Sequence, residues 1–249
     1  MEIRQRLEPS NQAGSPINTH VEIDPFGEER PMISNYKLLV SGIPRPISFV
    51  STISKDGTRN LAPFSYFQVV DHDPPIFVIG FTARMDRPKD TRQNLVDTGE
   101  CVINVVSDHM VEAVNATSLD ISTDQSEWGL SGLHPALSTT VKPDRVQEAV
   151  LSIEGKLLEM KEMDYGGHGK NGKPTSALAI IGATRFWVRE SAINEARDEV
   201  DLDAMRPLVQ LGGIQYGRIR EIFELPRPAL ATELADEVKG LSKFLKEKN

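Results

Sequence analysis

The chain has 249 residues, which is enough for one large domain or two small ones. It carries 28 Lys and Arg residues against 36 Asp and Glu residues, and the resulting net charge of −8 argues against nucleic-acid binding, which needs a basic surface. No apolar run approaches the roughly 20 residues that a membrane-spanning helix needs, and the first residues contain no hydrophobic signal-peptide core. We therefore expect a soluble cytoplasmic protein that contacts no membrane.

Residues 1–34 are predicted to form an N-terminal extension. This segment is polar, contains several proline and glycine residues that favour turns, and shows no sustained hydrophobic periodicity. It is expected to wrap around the following domain or a partner subunit, and disorder is the alternative interpretation.

A β-hairpin is predicted where two strand-like runs, residues 47–54 and 60–67, flank Asp56-Gly57. Asp-Gly between such runs is typical of a type I′ turn, which needs a positive φ at both central residues. Pro63 cannot donate a hydrogen bond to a neighbouring strand, so the second strand is expected at a sheet edge or with a bulge. The serine, threonine and asparagine side chains of this hairpin are suited to a polar, planar ligand.

Four further runs are predicted to be strands, and few helices lie between them. They are residues 76–82, 100–107, 149–163 and 176–190. The second run contains Cys101, the one cysteine of the chain, which is expected to be a buried thiol. Gly155 in the third run is a candidate bulge. Strands in succession without strict strand–helix alternation favour a mainly β fold, an antiparallel barrel of about six or more strands with helices at its rim.

Short helices are predicted between some of the strands. Residues 89–99 form the first, with Asp90 as its candidate N-cap and Gly99 as the residue that ends it. A second helix is predicted from residue 107 or 108 to about residue 118. Residues 227–249 have apolar side chains at helical spacing and are predicted to form a C-terminal amphipathic helix.

A glycine-rich segment, residues 165–174, matches G-x-G-x-x-G and nearly matches a Walker A loop. Both motifs require a helix directly after the glycines, because the helix N-terminus holds the phosphates. Here Pro174 and a strand-like run follow, so both matches are interpreted as false. The segment is predicted to be a hairpin loop that could cover a pocket, with His168 at its tip. No histidine or cysteine spacing indicates a metal site.

The start of the predicted helix at residues 89–99 is suited to a phosphate group. A helix N-terminus presents free N–H groups and the positive end of the helix dipole, to which Lys89 adds a charge and Thr91 a hydroxyl donor. Taken alone, this pattern is more often a capped surface helix. Its occurrence together with the hydroxyl-rich hairpin favours a ligand site.

Five sequence motifs occur in an order that resembles one known family. They are GIPRPISFVST at 42–52, NLAPFSYF at 60–67, DPP at 73–75, KDT at 89–91 with Asn94, and LGG at 211–213 with Tyr216. Over roughly residues 36–224, the chain resembles the flavin reductase-like family of FMN-binding split-barrel flavoproteins. The ordered set is specific, although each motif alone would be weak.

The resemblance implies a six-stranded antiparallel split barrel at residues 35–226, which forms a homodimer with one FMN in each of two clefts at or near the subunit interface. It places FMN against three groups of residues, which are Ser51 and Thr52; Asn60, Ala62, Pro63, Phe64 and Ser65; and, around the phosphate, Lys89, Asp90, Thr91 and Asn94. The family commonly has Arg before Leu-Gly-Gly, where this chain has Gln210, and Arg45 and Arg206 are candidate replacements.

The resemblance also implies an NAD(P)H-dependent flavin reductase-type oxidoreductase that transfers a hydride to FMN. Because the flavin performs the redox chemistry, no catalytic side chain is required and none is assigned. NAD(P)H is expected to stack over the open face of the flavin, with Tyr66, Phe67 and His168 as candidate lining residues. The alternative is a non-catalytic FMN-binding or electron-carrier protein, and a weaker third hypothesis is an oxygen-using flavoenzyme that acts on a small organic substrate.

Overall fold

The fold was analysed in a computed structural model, which describes residues 20–82, 87–119, 121–122, 124–168, 174–227 and 229. The strands are β1 (Arg45–Pro46), β2 (Ser48–Ile53), β3 (Arg59–Phe64), β4 (Phe67–His72), β5 (Pro75–Phe81), β6 (Glu100–Val105), β7 (Pro135–Ala136), β8 (Arg145–Val146), β9 (Leu151–His168), β10 (Pro174–Val188), β11 (Leu208–Leu211) and β12 (Gln215–Arg218). The helices are α1 (Met32–Gly42), α2 (Asp90–Thr98), α3 (Val111–Ala116), α4 (Trp128–Ser131) and α5 (Leu202–Met205), with 3₁₀ turns at Asp108–Met110 and Glu190–Ala192.

The main sheet contains seven strands in the order β3-β2-β6-β9-β10-β5-β4, and every pair within it is antiparallel. A second sheet has the order β1-β11-β12, and β7 pairs with β8. The predicted mainly β, antiparallel fold with short peripheral helices is therefore confirmed. The count of six strands was one too low for the main sheet, because the chain bends at Ser65-Tyr66 and the following residues form β4, which folds back on β5.

The predicted hairpin is formed by β2 and β3, which pair from Ser48 opposite Phe64 to Ile53 opposite Arg59. Its turn is not type I′, since Gly57 has a φ of +92° and Asp56 has no positive φ. Asp56 instead accepts a hydrogen bond from the Thr58 N–H at 3.2 Å. β3 lies at one edge of the main sheet, which confirms the expected edge position of Pro63.

The core lies on both faces of this hairpin, because successive side chains of a strand point to opposite sides. Val50 and Phe64 belong to a cluster that also contains Ile79, Phe81 and other residues of the main sheet. Phe49 and Leu61 belong to a second cluster, which packs against α3 and α4 through Val114 and Trp128. The hairpin therefore joins two apolar layers and is held rigidly at the centre of the fold.

Cys101 is fully buried in the first of these clusters, as predicted. Burial is the main cause that raises the pKa of its thiol to about 12, and the charge of Glu100 adds to this effect. The thiol is therefore protonated at neutral pH.

The helix predicted at residues 89–99 is α2, and its N-cap lies one residue earlier than expected. Its N-cap is Lys89 rather than Asp90, and the Lys89 side chain makes no capping hydrogen bond. Asp90 lies in the first turn and forms an ion pair with Arg87 at 2.5 Å. Gly99 has a φ of +72° and ends the helix as predicted.

Several predicted segments lie partly or wholly outside the described residues. Of the predicted C-terminal helix at 227–249, only residues 227 and 229 are described, and residues 1–19 of the N-terminal extension are not. α1 begins at Met32 and crosses the predicted boundary between the extension and the barrel domain. None of the described helices is both long and apolar enough to span a membrane.

Candidate functional site

A buried cluster of polar side chains joins the hairpin to α2. The Asn60 side-chain amide donates to the hydroxyls of Thr91 at 2.9 Å and Thr52 at 3.3 Å. Asn94 donates to the same Thr52 hydroxyl at 3.0 Å. All four side chains are buried, and they come from β2, β3 and α2. These hydrogen bonds fix the start of α2 against the edge strand.

The start of α2 opens into a cavity of about 90 Å³, here called the helix-start cavity. Its lining includes Ala62, Pro63, Lys89, Asp90, Thr91 and Glu127. The first N–H groups of a helix have no acceptor within the helix, and the N-cap side chain of α2, Lys89, makes no capping hydrogen bond to them. The cavity therefore combines uncapped N–H groups, the positive end of a helix dipole and a lysine, which together favour an anion.

A second cavity, of about 220 Å³, adjoins the first and is called the strand-end cavity. Its lining includes Tyr36, Arg45, Ser65, Tyr66, Gly80 and Gln210. The two cavities share Pro63, Phe64 and Lys89, so they lie next to each other at the end of β3, and together they are called the groove. The groove has a small polar end at α2 and a larger end with aromatic walls, an arrangement that fits a planar ligand carrying a phosphate.

A third cavity, of about 290 Å³, lies on the other side of the start of α2 and is called the hairpin cavity. Lys55, Asp56 and Asp97 are part of its lining, together with Asn60 and Asp90, which it shares with the helix-start cavity. Lys55 and Asp97 form an ion pair at 2.9 Å, and hydrogen bonds from Ser54 and Thr58 lower the pKa of Asp56. Its lining contains three carboxylates, and its one lysine, Lys55, is already paired with Asp97, so it is less suited to an anion than the helix-start cavity.

Arg45 bounds the strand-end cavity beside the Leu211-Gly212-Gly213 motif. Its guanidinium donates to the carbonyl oxygens of Val40 at 2.8 Å and Gly212 at 3.1 Å. Gly212 has a φ of +64° in the turn between β11 and β12, so Arg45 holds this turn in place. Of the two candidate replacements, Arg45 lines the same cavity as Gln210 and supplies a cation there. Arg206 forms an ion pair with Asp108 at 2.6 Å and does not line the groove.

Most of the residues that the sequence assigned to the cofactor lie around this groove. Ala62, Pro63, Phe64, Ser65, Lys89, Asp90, Thr91 and Asn60 line one or both of its cavities. Thr52 and Asn94 belong to the buried polar cluster and do not line the groove, and Asn94 lines the hairpin cavity instead. Ser51 points away from Thr52, and its hydroxyl donates to the carbonyl oxygen of Asp144.

Of the three residues expected to line the open face of a flavin, Tyr66 and Phe67 are described with their side chains, and these two lie in different surroundings. Tyr66 is 39% exposed and lines the strand-end cavity. Phe67 is buried in the core and stacks on Phe77, with 6.0 Å between the ring centroids. The side chain of His168 lies outside the described residues. Of the three, Tyr66 is the residue that the structure places in the groove.

Glu127 lines the helix-start cavity and was missed by the sequence interpretation. It is only 6% exposed, and its carboxylate accepts a hydrogen bond from the Leu61 N–H at 3.1 Å. Burial is the main cause that raises its pKa, and the charge of Asp90 adds to this effect. Glu127 lies in an aperiodic segment with no motif, so no local sequence signal could have placed it in the groove.

A family model described as "Flavin reductase like domain" matches residues 40–198 of the chain. The chain belongs to the flavin reductase-like family. An uncharacterized protein from Halalkalibacterium halodurans is 34% identical to this family member over 199 residues, which cover 79% of this chain and 92% of the relative. An uncharacterized protein from Bacillus subtilis is 36% identical over 196 residues, which cover 78% and 93% of the two chains.

Solved structures of similar proteins agree with this family. Nitrilotriacetate monooxygenase component B from Bacillus cereus is 32% identical, with a TM-score of 0.77 over 84% of this chain and 100% of that one. The 2-nitrobenzoate 2-nitroreductase NbaA from Pseudomonas fluorescens is 26% identical, with a TM-score of 0.71 over 85% and 98%. A Shewanella frigidimarina structure described as having a split barrel domain is 22% identical, with a TM-score of 0.68 over 80% and 95%, and shows the same fold. The split-barrel fold expected from the sequence motifs is therefore confirmed.

Proposed function

We propose that this protein is an FMN-binding, NAD(P)H-dependent flavin reductase-type oxidoreductase that acts in the cytoplasm. The observation that carries the proposal is the uncapped start of α2, which opens beside Lys89 into a groove whose other end has aromatic walls. Membership of the flavin reductase-like family supports it, as do the names of two similar proteins, a monooxygenase component and a nitroreductase.

The residues of the groove fit FMN at both ends. In the helix-start cavity, Lys89, the Thr91 hydroxyl and the uncapped N–H groups would hold the phosphate. Asp90 also lines this cavity, but its ion pair with Arg87 offsets its negative charge. In the strand-end cavity, Pro63 and Ser65 would contact the ring system.

The bound flavin would supply the redox chemistry by accepting a hydride. The protein's part is to bind and orient it. The buried hydrogen bonds among Thr52, Asn60 and Thr91 hold α2 against β3, so the two ends of the groove keep a fixed separation. Tyr66 stands at the accessible wall of the strand-end cavity, where a nicotinamide ring would approach.

Anaerobic mixing with reduced nicotinamide tests the function. The protein is loaded with FMN, and the visible flavin absorption is followed after addition of NADH or NADPH without oxygen. Rapid bleaching at low nucleotide concentration is expected. An unchanged flavin band would contradict the reductase and support an FMN-binding electron carrier instead. Protein that does not bind added FMN would contradict both functions.

We also propose that the protein forms a homodimer. Leu38 and Leu39 on α1 are exposed large apolar side chains, and so are Ile222 and Phe223 in the extended segment after β12. Exposed large apolar side chains of this kind are suited to burial in a protein interface. Light scattering after size-exclusion chromatography should give about twice the chain mass of 27.6 kDa, and a mass equal to one chain would contradict the dimer.

A further inference from the structure

Glu127 is a buried carboxyl group that the redox function leaves without a role. It stands at the start of α4, where its Oε2 atom accepts the hydrogen bond from the Leu61 N–H at 3.1 Å. Leu61 belongs to the edge strand β3, whose side-chain pattern places Leu61 itself in the core. The hydrogen bond therefore holds the start of α4 against β3, and the carboxyl group faces the helix-start cavity.

The position of this carboxyl group conflicts with the ligand that the cavity is otherwise suited to bind. Lys89, Thr91 and the uncapped N–H groups of α2 favour an anion, yet Glu127 lines the same cavity of about 90 Å³. A carboxylate and a phosphate in so small and partly buried a space would repel each other strongly. A neutral carboxylic acid has the opposite effect, because its O–H donates a hydrogen bond.

The surroundings of Glu127 favour the neutral form. Lys89 and Asp90 are the charged groups of α2 that face it, and Arg87 is paired with Asp90. β3 contributes the Leu61 N–H, and Thr117 and Ser118 after α3 line the same cavity, with their hydroxyls donating to the Val114 carbonyl oxygen. Burial and, to a smaller extent, Asp90 raise the pKa of Glu127; the N–H groups of Leu61 and of Glu127 itself lower it, as does Lys89, and the net direction is upward.

We propose that Glu127 is a phosphate-positioning residue that binds FMN as the neutral acid and donates a hydrogen bond from its second carboxyl oxygen to a phosphate oxygen. At a pH at which Glu127 is ionised in the free protein, Glu127 therefore takes up one proton from solvent when FMN binds. Riboflavin, which has no phosphate, binds without this coupling. This assignment rests on the proposed FMN site. It adds Glu127 to the phosphate-binding residues and adds one proton that is taken up on binding.

The test compares wild type with Glu127→Gln in the full chain. The glutamine oxygen can accept from the Leu61 N–H and its amide nitrogen can donate to phosphate, but the side chain cannot ionise. Dissociation constants for FMN and riboflavin are measured by flavin fluorescence from about pH 6 to about pH 8.5, on either side of the second phosphate pKa near 6. Dividing the two proteins' FMN affinities at each pH removes the titration of the phosphate itself.

The ratio of FMN affinities, variant over wild type, is expected to rise with pH by up to about tenfold per pH unit above the pKa of Glu127. The riboflavin ratio should stay constant. Glu148→Gln, which removes a carboxylate outside the groove, is the matched control and should give a constant FMN ratio. A constant FMN ratio for Glu127→Gln would overturn this assignment while leaving the FMN site intact, whereas failure of wild type to bind FMN would overturn both.

A second measurement decides the matter if Glu127→Gln does not fold. Calorimetric titration of wild type with FMN, in buffers of different ionisation enthalpy, gives the number of protons taken up on binding. At about pH 7.5 to 8.5 the free phosphate is already a dianion, so proton uptake is expected with FMN at these pH values, and riboflavin titrated in the same way should cause none. No uptake, or proton release, throughout this range would overturn the proposal.

Discussion

At the scale of single residues, the phosphate end of the groove depends on Lys89, where α2 begins. Lys89→Ala is expected to weaken FMN binding by about 1–3 kcal/mol, the range for a hydrogen bond to a charged group. Fluorescence titration of the apoprotein measures the change, and riboflavin affinity should hardly alter. Lys55→Ala is the control, because Lys55 pairs with Asp97 outside the groove. Equal FMN affinity in Lys89→Ala and wild type would show that Lys89 does not hold the phosphate.

Cys101 gives a second prediction at this scale. Its thiol is fully buried, and burial raises its pKa to about 12. Because only the thiolate reacts, a disulfide reagent such as DTNB should label the native protein very slowly at neutral pH. In denaturant the same thiol should react at the rate of a free cysteine. Fast labelling of the native protein would contradict the burial of Cys101.

At the scale of elements, Gly155 of β9 packs directly against the Ile181 side chain of β10. A Cβ atom placed there would lie 2.5 Å from Cγ2 of Ile181, so the position needs glycine for close packing. A bulge was predicted at Gly155, but Gly155 pairs with Ala183. The extra residue lies on the opposite strand, where Thr184 of β10 is unpaired. Gly155→Ala is expected to destabilise the protein by about 1–3 kcal/mol, the usual effect of overpacking.

Urea unfolding measures the effect of Gly155→Ala. Gly42→Ala is the matched control, since a Cβ there would contact nothing within 4 Å, and its free energy of unfolding should change by less than about 0.5 kcal/mol. If both substitutions changed stability equally, the close approach of Ile181 would not constrain this part of the sheet.

The hairpin and α2 were predictable as elements because their signals are local. Asp56-Gly57 marks the turn, apolar runs mark the strands, and Gly99 ends the helix. β4 was not predicted, because the turn-forming residues from position 71 onward indicate a loop. The strand forms because these residues pair with β5, which is not a local signal. The N-cap was placed one residue late, because Asp90 is a common capping residue but pairs here with Arg87.

At the scale of the whole molecule, the groove is assembled from distant parts of the chain, and this limits what a sequence reveals. Residues 60–65 and 89–94 could be assigned to one site because known motifs carry them. Arg45 reaches Gly212 across 167 positions, and Glu127 reaches Leu61 across 66. Neither contact leaves a local pattern in the sequence. The sequence therefore could not predict that Arg45 holds the turn between β11 and β12, or that Glu127 lines the groove.

Because the groove joins α1, β3, β5, α2 and β11, a ligand in it should stabilise most of the described structure at once. At a free FMN concentration of 100 times Kd, binding adds about 2.7 kcal/mol to the free energy of unfolding. For a chain of this size, that corresponds to a rise in Tm of roughly 5–10 °C. Differential scanning calorimetry with and without FMN measures the rise, and Lys89→Ala at the same FMN concentration should show a smaller one. A Tm unaffected by saturating FMN would mean that the flavin does not bind in a groove shared by these elements, since a ligand held only by the native fold must stabilise it.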